Sequence, residues 1–501
     1  MPSDRYVSFA KRLGDLAALD PDRPALTVGT RSLSRLELDR ASNRFARGLA
    51  ERGVGKGDLV TIALPNSIEW FVATAACWKL GAIPQPVSSR LPGPELAAVV
   101  ELADPPVVIG ADPARLPGHE CLAREDVAAA IAGTLACLVG APDLAPSPLD
   151  DPLPDVVSDA WKAPTSGGST GRPKLIVSGD PSLVDLEAGP PLQLGADGAL
   201  VMPGPLYHNG PLVWSCHALL WGNHVVVLER FDAEGTLAAI AAHRAHVVYL
   251  VPTMMKRILR LPDDVRLGFD LSSLQVVWHL AEPCPAWLKE QWIDWLGPEK
   301  IYELYGGTEG QLATVITGVE WLAHRGSVGR PTTGSVKVCD ADGNELPAGE
   351  QGELWLKSAR EKPAYRYVGA DARSMAGGWE SLGDIGWVDE DGYVYLGDRL
   401  SDMILTGGAN VYPAEIEAAL NEHPLVRSCA VIGLPDDDLG NVVHAIVEAD
   451  PNLVSADDLR AHLADRLVRY KVPRTFELVD VPLRDDAGKV RRAALRAERL
   501  P

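Results

Sequence analysis

The sequence predicts an α/β fold, with a large N-terminal domain of parallel-sheet α/β subdomains plus a small β subdomain, followed by a small α+β C-terminal domain. Three observations carry that expectation. Up to about residue 325, helical apolar periodicity alternates with short apolar runs, as expected of strands covered on both faces by crossover helices. From about 326 the texture changes to short strands separated by turns rich in Gly and Asp. Finally, 501 residues, 46% of them hydrophobic, are too many for one ordinary core, so two or more domains are expected.

The elements follow in chain order. Leu38, Ala41, Phe45 and Leu49 recur at helical spacing within residues 33–53, and Gly53 ends that helix. Leu59 to Leu64 then reads as a buried strand. A helix from Trp70 to Leu80 leads through Gly81 into the strand IPQPV at 83–87. The Pro- and Asp-rich segment 140–155 reads as a surface connection. A helix from Thr236 to Arg244 precedes the strand HVVYLV (246–251). The strand SLQVVWHLA (273–281) precedes an amphipathic helix from Trp287 to Trp295. In the β-rich stretch, ADGN (341–344) and EDGY (390–393) sit where hairpin turns are expected. After Arg399 come a helix start at Pro413, strands at 428–435 and 442–449, a helix at 455–469 and a polar tail around Lys489.

Charge and cysteine usage narrow the function. A formal charge of −21 excludes a nucleic-acid partner, because phosphate backbones are bound by basic surfaces. An acidic protein that binds a polyphosphate must gather its cations locally. Cys77, Cys121, Cys137, Cys216, Cys284, Cys339 and Cys429 form no C-x-x-C pair and read as reduced structural thiols. The start MPSDRYVSFAKRL has no apolar signal core, and no run of about 18 apolar residues occurs. A soluble cytoplasmic protein without a membrane span is expected.

Four features carry chemistry, and their order is more informative than any one of them. Thr165 to Lys174, TSGGSTGRPK, combines glycines that let backbone N–H groups approach an anion with the hydroxyls of Ser169 and Thr170 and the charges of Arg172 and Lys174. It lacks the G-x-x-x-x-G-K-[ST] spacing of a Walker A loop. Tyr305-Gly306-Gly307-Thr308-Glu309 offers an aromatic to stack on a base and a hard oxygen ligand for Mg²⁺. Asp384 and Arg399 flank a hairpin and suit ribose hydroxyls and phosphate oxygens. Lys489 lies in PLRDDAGKVRR. Read singly, each has an ordinary alternative: a surface turn, a solvated carboxylate, a surface ion pair, a solvated lysine.

Together with PLYHNG (205–210), HLAEPCP (279–285), GELW (352–355), the run 383–417, YKVPR (470–474) and the GKV containing Lys489, these motifs make the chain resemble the adenylate-forming superfamily along essentially its whole length. That superfamily comprises acyl-CoA synthetases, nonribosomal-peptide adenylation domains and luciferase. The resemblance implies an N-terminal adenylation domain at 1–398, a hinge at 399–402 containing Ser401, and a mobile C-terminal domain at 403–501. It implies that Thr165, Ser166, Gly167, Gly168, Ser169, Thr170, Gly171 and Lys174 serve the ATP phosphates. Ala281, Glu282 and Pro283 would line the adenine, with Tyr305, Gly306 and Gly307 against it. Thr308 would touch the α-phosphate and the carboxylate, Glu309 would hold Mg²⁺, and Asp384 with Arg399 would fix the ribose. Lys489 would bridge carboxylate and phosphate. His208 would stand where the acyl pocket meets the pantetheine tunnel, and Gly407 and Gly408 would line that tunnel.

Several positions depart from the usual pattern. One extra residue separates the first Thr-Ser-Gly from Thr-Gly, Leu175 replaces a glycine after Lys174, Ser401 replaces an Asp or Lys, and HLAEPCP lacks a glycine pair. None removes a group that the chemistry needs. The segment 206–221 is apolar and aromatic, with Trp214 on its helix as a candidate wall of the acyl pocket and a core residue as its alternative. It offers no charge for an amino-acid ammonium. An apolar organic acid is therefore favoured, and because HLAEPCPAWLKEQWIDWLGP (279–298) resembles ligases for bulky polycyclic acids, the resemblance implies ATP, Mg²⁺ and coenzyme A acting on an apolar, bulky polycyclic acid. Two other readings stand beside it, an acyl-AMP ligase that loads a carrier protein and a non-catalytic nucleotide-binding relative, and a homodimer is left open.

Overall fold

The computed structural model describes residues 5–133, 149–167, 173–399, 402–406, 409–436, 438–484 and 488–500. The first predicted helix forms over Arg35–Ala50. Ser34 Oγ accepts from the Glu37 backbone N–H at 3.2 Å, while Glu37 Oε2 accepts from the Ser34 N–H at 2.7 Å, and this reciprocal pair fixes the helix start. Leu38, Ala41, Phe45 and Leu49 all face the main core, as their spacing requires. Beside it, the helix Ile68–Lys79 is buried at every residue, which explains its apolar circumference. The strand Leu59–Ile62 lies between parallel neighbours Ile83–Pro86 and Val108–Ile109.

The site is built on a second and larger sheet. Pro24–Val28, His224–Val227, Ala199–Met202, Val247–Leu250, Val276–Leu280 and Ile301–Gly306 lie side by side in parallel. The helix Asn209–Leu220 is the crossover between two of them. Ala313–Thr317 and Ser327–Thr333 then add antiparallel strands, and Ser327–Thr333 also pairs with Val394–Arg399. The β-rich stretch is thus continuous with the parallel sheet through a shared strand, rather than joined to it only by packing. The expected hairpin turn at 390–393 is present: Asp389 and Tyr393 bond at 3.0 Å, and Gly392 takes a φ of +83°.

In the C-terminal part, Ser428–Asp436 and Gly440–Glu448 pair antiparallel, and Thr475–Val479 runs parallel to the second. Ile404, Ile416, Leu420, Val431, Val447, Leu459 and Leu463 form a core separate from the main one. The helix expected at 455–469 is shorter, at Ala456–Ala464, followed by a 3₁₀ turn at Arg469–Lys471. Val468 is extended at ψ 145°, and Val472 is held extended by Pro473, so helical pairing cannot run on. Among the described residues no helix is long and apolar enough to cross a membrane.

Candidate active site

Thr165–Gly167 pairs antiparallel with Pro173–Ser178, with Ser166 opposite Lys174. Gly168, Ser169, Thr170, Gly171 and Arg172 lie outside the described residues. This strand pair is tied to the core by a relay. Thr61 Oγ1 donates to Gln85 Oε1 at 2.6 Å, and Gln85 Nε2 donates to Thr165 Oγ1 at 2.6 Å. From the other strand Lys174 reaches Glu309 Oε1 at 3.6 Å, with its ammonium 3.8 Å from the centre of the Tyr367 ring. Tyr367 itself donates to Glu309 Oε1 at 2.5 Å. Burial and then the Glu309 charge raise the Tyr367 phenol above its ordinary range, which keeps it a donor.

Glu309 is buried, at 6% exposure, and its turn is shaped by Gly307. A Cβ on Gly307 would stand 2.5 Å from Leu382 Cδ1 and 2.9 Å from Glu309 Oε2, so a larger residue there would displace one of these side chains. Thr308 is half-buried on the same turn. Tyr305, at the end of the strand Ile301–Gly306, donates to Asp384 Oδ2 at 2.7 Å. Asp384 and Arg399 face each other across the Asp384–Val388 and Val394–Arg399 hairpin. The predicted base-stacking and ribose residues are therefore brought together from separate parts of the chain.

The strand Val276–Leu280 runs out at Ala281, whose φ of +74° is left-handed and rare for a residue with a Cβ. Such strain, of order 1–3 kcal/mol, is held by its surroundings and clusters at functional sites. Next to it, Glu282 Oε2 accepts from the Thr253 N–H at 3.2 Å and its hydroxyl at 2.8 Å. Ala281, Glu282 and Pro283 thus form the turn beside the parallel neighbour strand that carries Tyr305.

His208 is the N-cap of Asn209–Leu220 and makes no capping bond with its side chain. Its ring leans on Tyr207 at 4.3 Å, and Nε2 is buried without a hydrogen-bond partner. Burial first, then the charges of Lys489 and Arg491, bring this imidazole down to about 3. His208 is therefore neutral, and Lys489 is close enough for its charge to be felt there. Gly488 makes the corresponding approach on the nucleotide side: a Cβ there would fall 1.1 Å from Glu282 Oε1. The C-terminal loop thus lies over the site that the large sheet builds. Trp214, on the helix that His208 caps, is 3% exposed and meets Tyr249 edge-on at 5.3 Å and Trp278 at 5.6 Å as part of the main core. Ser401, Gly407 and Gly408 lie outside the described residues.

Sequence reasoning missed Tyr367, Gln85, Thr61, Thr253 and Lys162, whose buried ammonium donates to Asn209 beside His208. Only Tyr367 left a signal: Tyr365 and Tyr367 alternate as one face of a strand should. The others act through contacts distant in sequence.

A family model described as AMP-binding enzyme matches residues 15–365, and one described as AMP-binding enzyme C-terminal domain matches residues 415–489. A feruloyl-CoA synthase of Amycolatopsis sp is 33% identical over 491 residues, covering 96% of both chains. A fatty acid–[acyl-carrier-protein] ligase of Streptomyces coeruleorubidus is 31% identical over 502 residues, covering 95% of this chain and 93% of the relative. The solved structure of o-succinylbenzoate CoA synthetase from Bacillus subtilis, in complex with its acyl-adenylate intermediate, is 25% identical with a TM-score of 0.79, covering 98% of both chains.

Proposed function

The chain belongs to the AMP-binding enzymes and is an adenylate-forming acyl-CoA ligase; from that premise we propose that its substrate is an apolar, bulky, polycyclic carboxylic acid. One observation carries the reading: Gly488–Lys489 closes on the Glu282 and His208 side of the pocket whose Lys174, Glu309, Tyr305 and Asp384 are assembled together.

In the first half-reaction a carboxylate oxygen attacks the α-phosphorus of ATP, the bond to the leaving pyrophosphate breaks, and acyl-AMP forms. Two anions must meet, so the site has to place cations along the reaction line. Lys489 supplies one and Lys174 another. A neutral His208 can accept or donate a hydrogen bond without adding a charge of its own. Glu309 would fit a magnesium ion: its carboxylate is buried, pairs with Lys174 at 3.6 Å and is oriented by the Tyr367 hydroxyl. When bound there, magnesium neutralises phosphate charge.

In the second half-reaction the CoA thiol displaces AMP from the acyl carbon. The Lys489 loop occupies the approach to His208, so we assign a hinge at 399–402 about Ser401, between domains at 1–398 and 403–501, that swings the loop away. Gly407 and Gly408 would then line the pantetheine path. Orientation in the closed site contributes roughly 7–11 kcal/mol to such reactions, which accounts for moving a domain to deliver one lysine. The unpaired thiols Cys77, Cys121, Cys216, Cys284, Cys339 and Cys429 agree with a reducing cytoplasm.

Support for a ring system comes from the aromatic cluster of Trp214, Tyr249 and Trp278. Pyrophosphate release, measured with a polycyclic acid, a medium-chain fatty acid and a benzoate in wild type and Trp214→Ala, tests this. The polycyclic acid should lead, and the variant should change the ranking by a graded 1–3 kcal/mol, about 5- to 200-fold in kcat/KM, at nearly constant ATP affinity. A wild-type preference for the benzoate, or an unchanged ranking, removes the polycyclic reading. Repeating the assay with CoA and with a holo-carrier protein addresses the second reading, which the carrier-protein ligase relative supports. Rapid CoA consumption excludes it.

A further inference from the structure

The helix Pro252–Leu259 touches both halves of the molecule. At its start Thr253 holds Glu282, the residue that Gly488 approaches. One turn on, Lys256 leaves the large domain altogether. Its Nζ donates to Asn421 Oδ1 at 2.7 Å and to the Val426 carbonyl at 3.1 Å. Arg260 adds a bond from Nη2 to the same carbonyl at 2.8 Å. Asn421 ends the helix Pro413–Asn421, where cations meet the negative end of the helix dipole, and Val426 belongs to the C-terminal core.

Lys256 is 7% exposed and has no carboxylate within ion-pairing distance among the described residues. A buried ammonium satisfied only by neutral oxygens is costly, and it is placed where its burial depends on the C-terminal domain. We propose that Lys256 and Arg260 are positioning residues that latch the C-terminal domain in the orientation that delivers Lys489. The inference rests on the two-orientation reading given above. Asn421, Val426 and Lys489 travel with one domain, so a swing that withdraws Lys489 also strips both acceptors from Lys256.

The charges facing Lys256 are Arg260 on its own helix and Arg484 and Glu448 from the C-terminal domain, with the Cys429 thiol beside them. Burial, reinforced by Arg260, brings the docked Lys256 down to about 7. Exposed after the swing, it returns to the ordinary lysine range of about 10.4. Docking therefore releases a proton between those values, and rising pH in that window favours the docked orientation by at most about tenfold per unit. The neutral amine keeps two N–H bonds, one for each acceptor, so the latch survives deprotonation.

The test measures the two half-reactions separately, as single-turnover pyrophosphate release and as thioester formation from supplied acyl-AMP, at pH 7 and pH 9. The Lys256→Met/Arg260→Met pair leaves the Val426 carbonyl without a donor and should slow adenylation about tenfold while thioester formation persists. Asn421→Leu, made from the other domain, should split the half-reactions in the same direction, and it decides the matter if the paired variant melts early. Lys256→Met alone should flatten the rise in the adenylation-to-thioester ratio that wild type shows between pH 7 and pH 9. Unchanged adenylation in the pair and in Asn421→Leu, or a wild-type pH slope in Lys256→Met, overturns the latch. Lys489→Ala is run in parallel: if it slows both half-reactions equally, the two-orientation reading fails and takes the latch with it. If Lys489→Ala splits them and the latch variants do not, only the latch fails.

Discussion

At the scale of single residues, the site is a set of charges held where water is scarce. Lys489 is exposed, yet its charge reaches the half-buried His208, whose Nε2 is shut from solvent. An ammonium that acts only while the acyl-phosphate bond forms should matter to one half-reaction. Lys489→Ala is expected to lower adenylation by about 10²–10³-fold, the scale of losing one donor to developing charge, with thioester formation from acyl-AMP retained. Rapid-quench measurement of both steps checks it. Tyr367 illustrates what residue-level reading of the sequence leaves out. Glu309 could be named from Tyr305-Gly-Gly-Thr-Glu309, but the hydroxyl that orients it comes from 58 residues further on. No local pattern encodes that pairing.

At the scale of elements, the loop that carries Lys489 depends on one glycine. Gly488 has a φ of +78° and no room for a Cβ against Glu282. Gly488→Ala should strain the backbone and push the loop off the nucleotide side, cutting adenylation nearly as far as Lys489→Ala does while sparing thioester formation. Wild-type adenylation in Gly488→Ala would mean that the loop does not dock against Glu282 during the reaction. The helix Arg35–Ala50 is the opposite case, since its Ser34–Glu37 cap and its apolar face are both written locally and both appear as written. The helix expected at 455–469 stops early, at Ala464, and Val468 beyond it is extended at ψ 145°.

At the scale of the whole molecule, stability is tied to buried neutral imidazoles. Burial is the first cause that brings His208 to about 3, His217 and His224 to about 4, and His279 well below its ordinary range. In the unfolded chain each titrates near 6.5. The unfolded state therefore binds more protons below that pH, so the contribution of these imidazoles is complete above about 6.5 and is lost as pH falls toward 4. Each imidazole contributes up to about 1.4 kcal/mol per pH unit across that window. Relief of surface repulsion in a chain of charge −21 acts in the other direction, but salt screens that term and not the buried one. The thermal midpoint in 0.3 M salt should fall between pH 6.5 and 5. A flat profile down to pH 5 would show that these rings are not held neutral.

The sequence by itself determined the alternation of helix and strand, the split into a large and a small hydrophobic core, and the identity of groups that lie within one motif, because each depends on periodicity or turn chemistry over a few residues. Tertiary structure alone decided which motifs meet. It set Asp384 against Tyr305, Tyr367 against Glu309, Gly488 against Glu282 and Lys256 under the C-terminal domain. It also decided that the β-rich stretch continues the parallel sheet and that Ala281 takes a left-handed turn. These are contacts between residues far apart in the chain, selected by burial and by the need to satisfy polar groups, and neither leaves a mark in a local window of sequence.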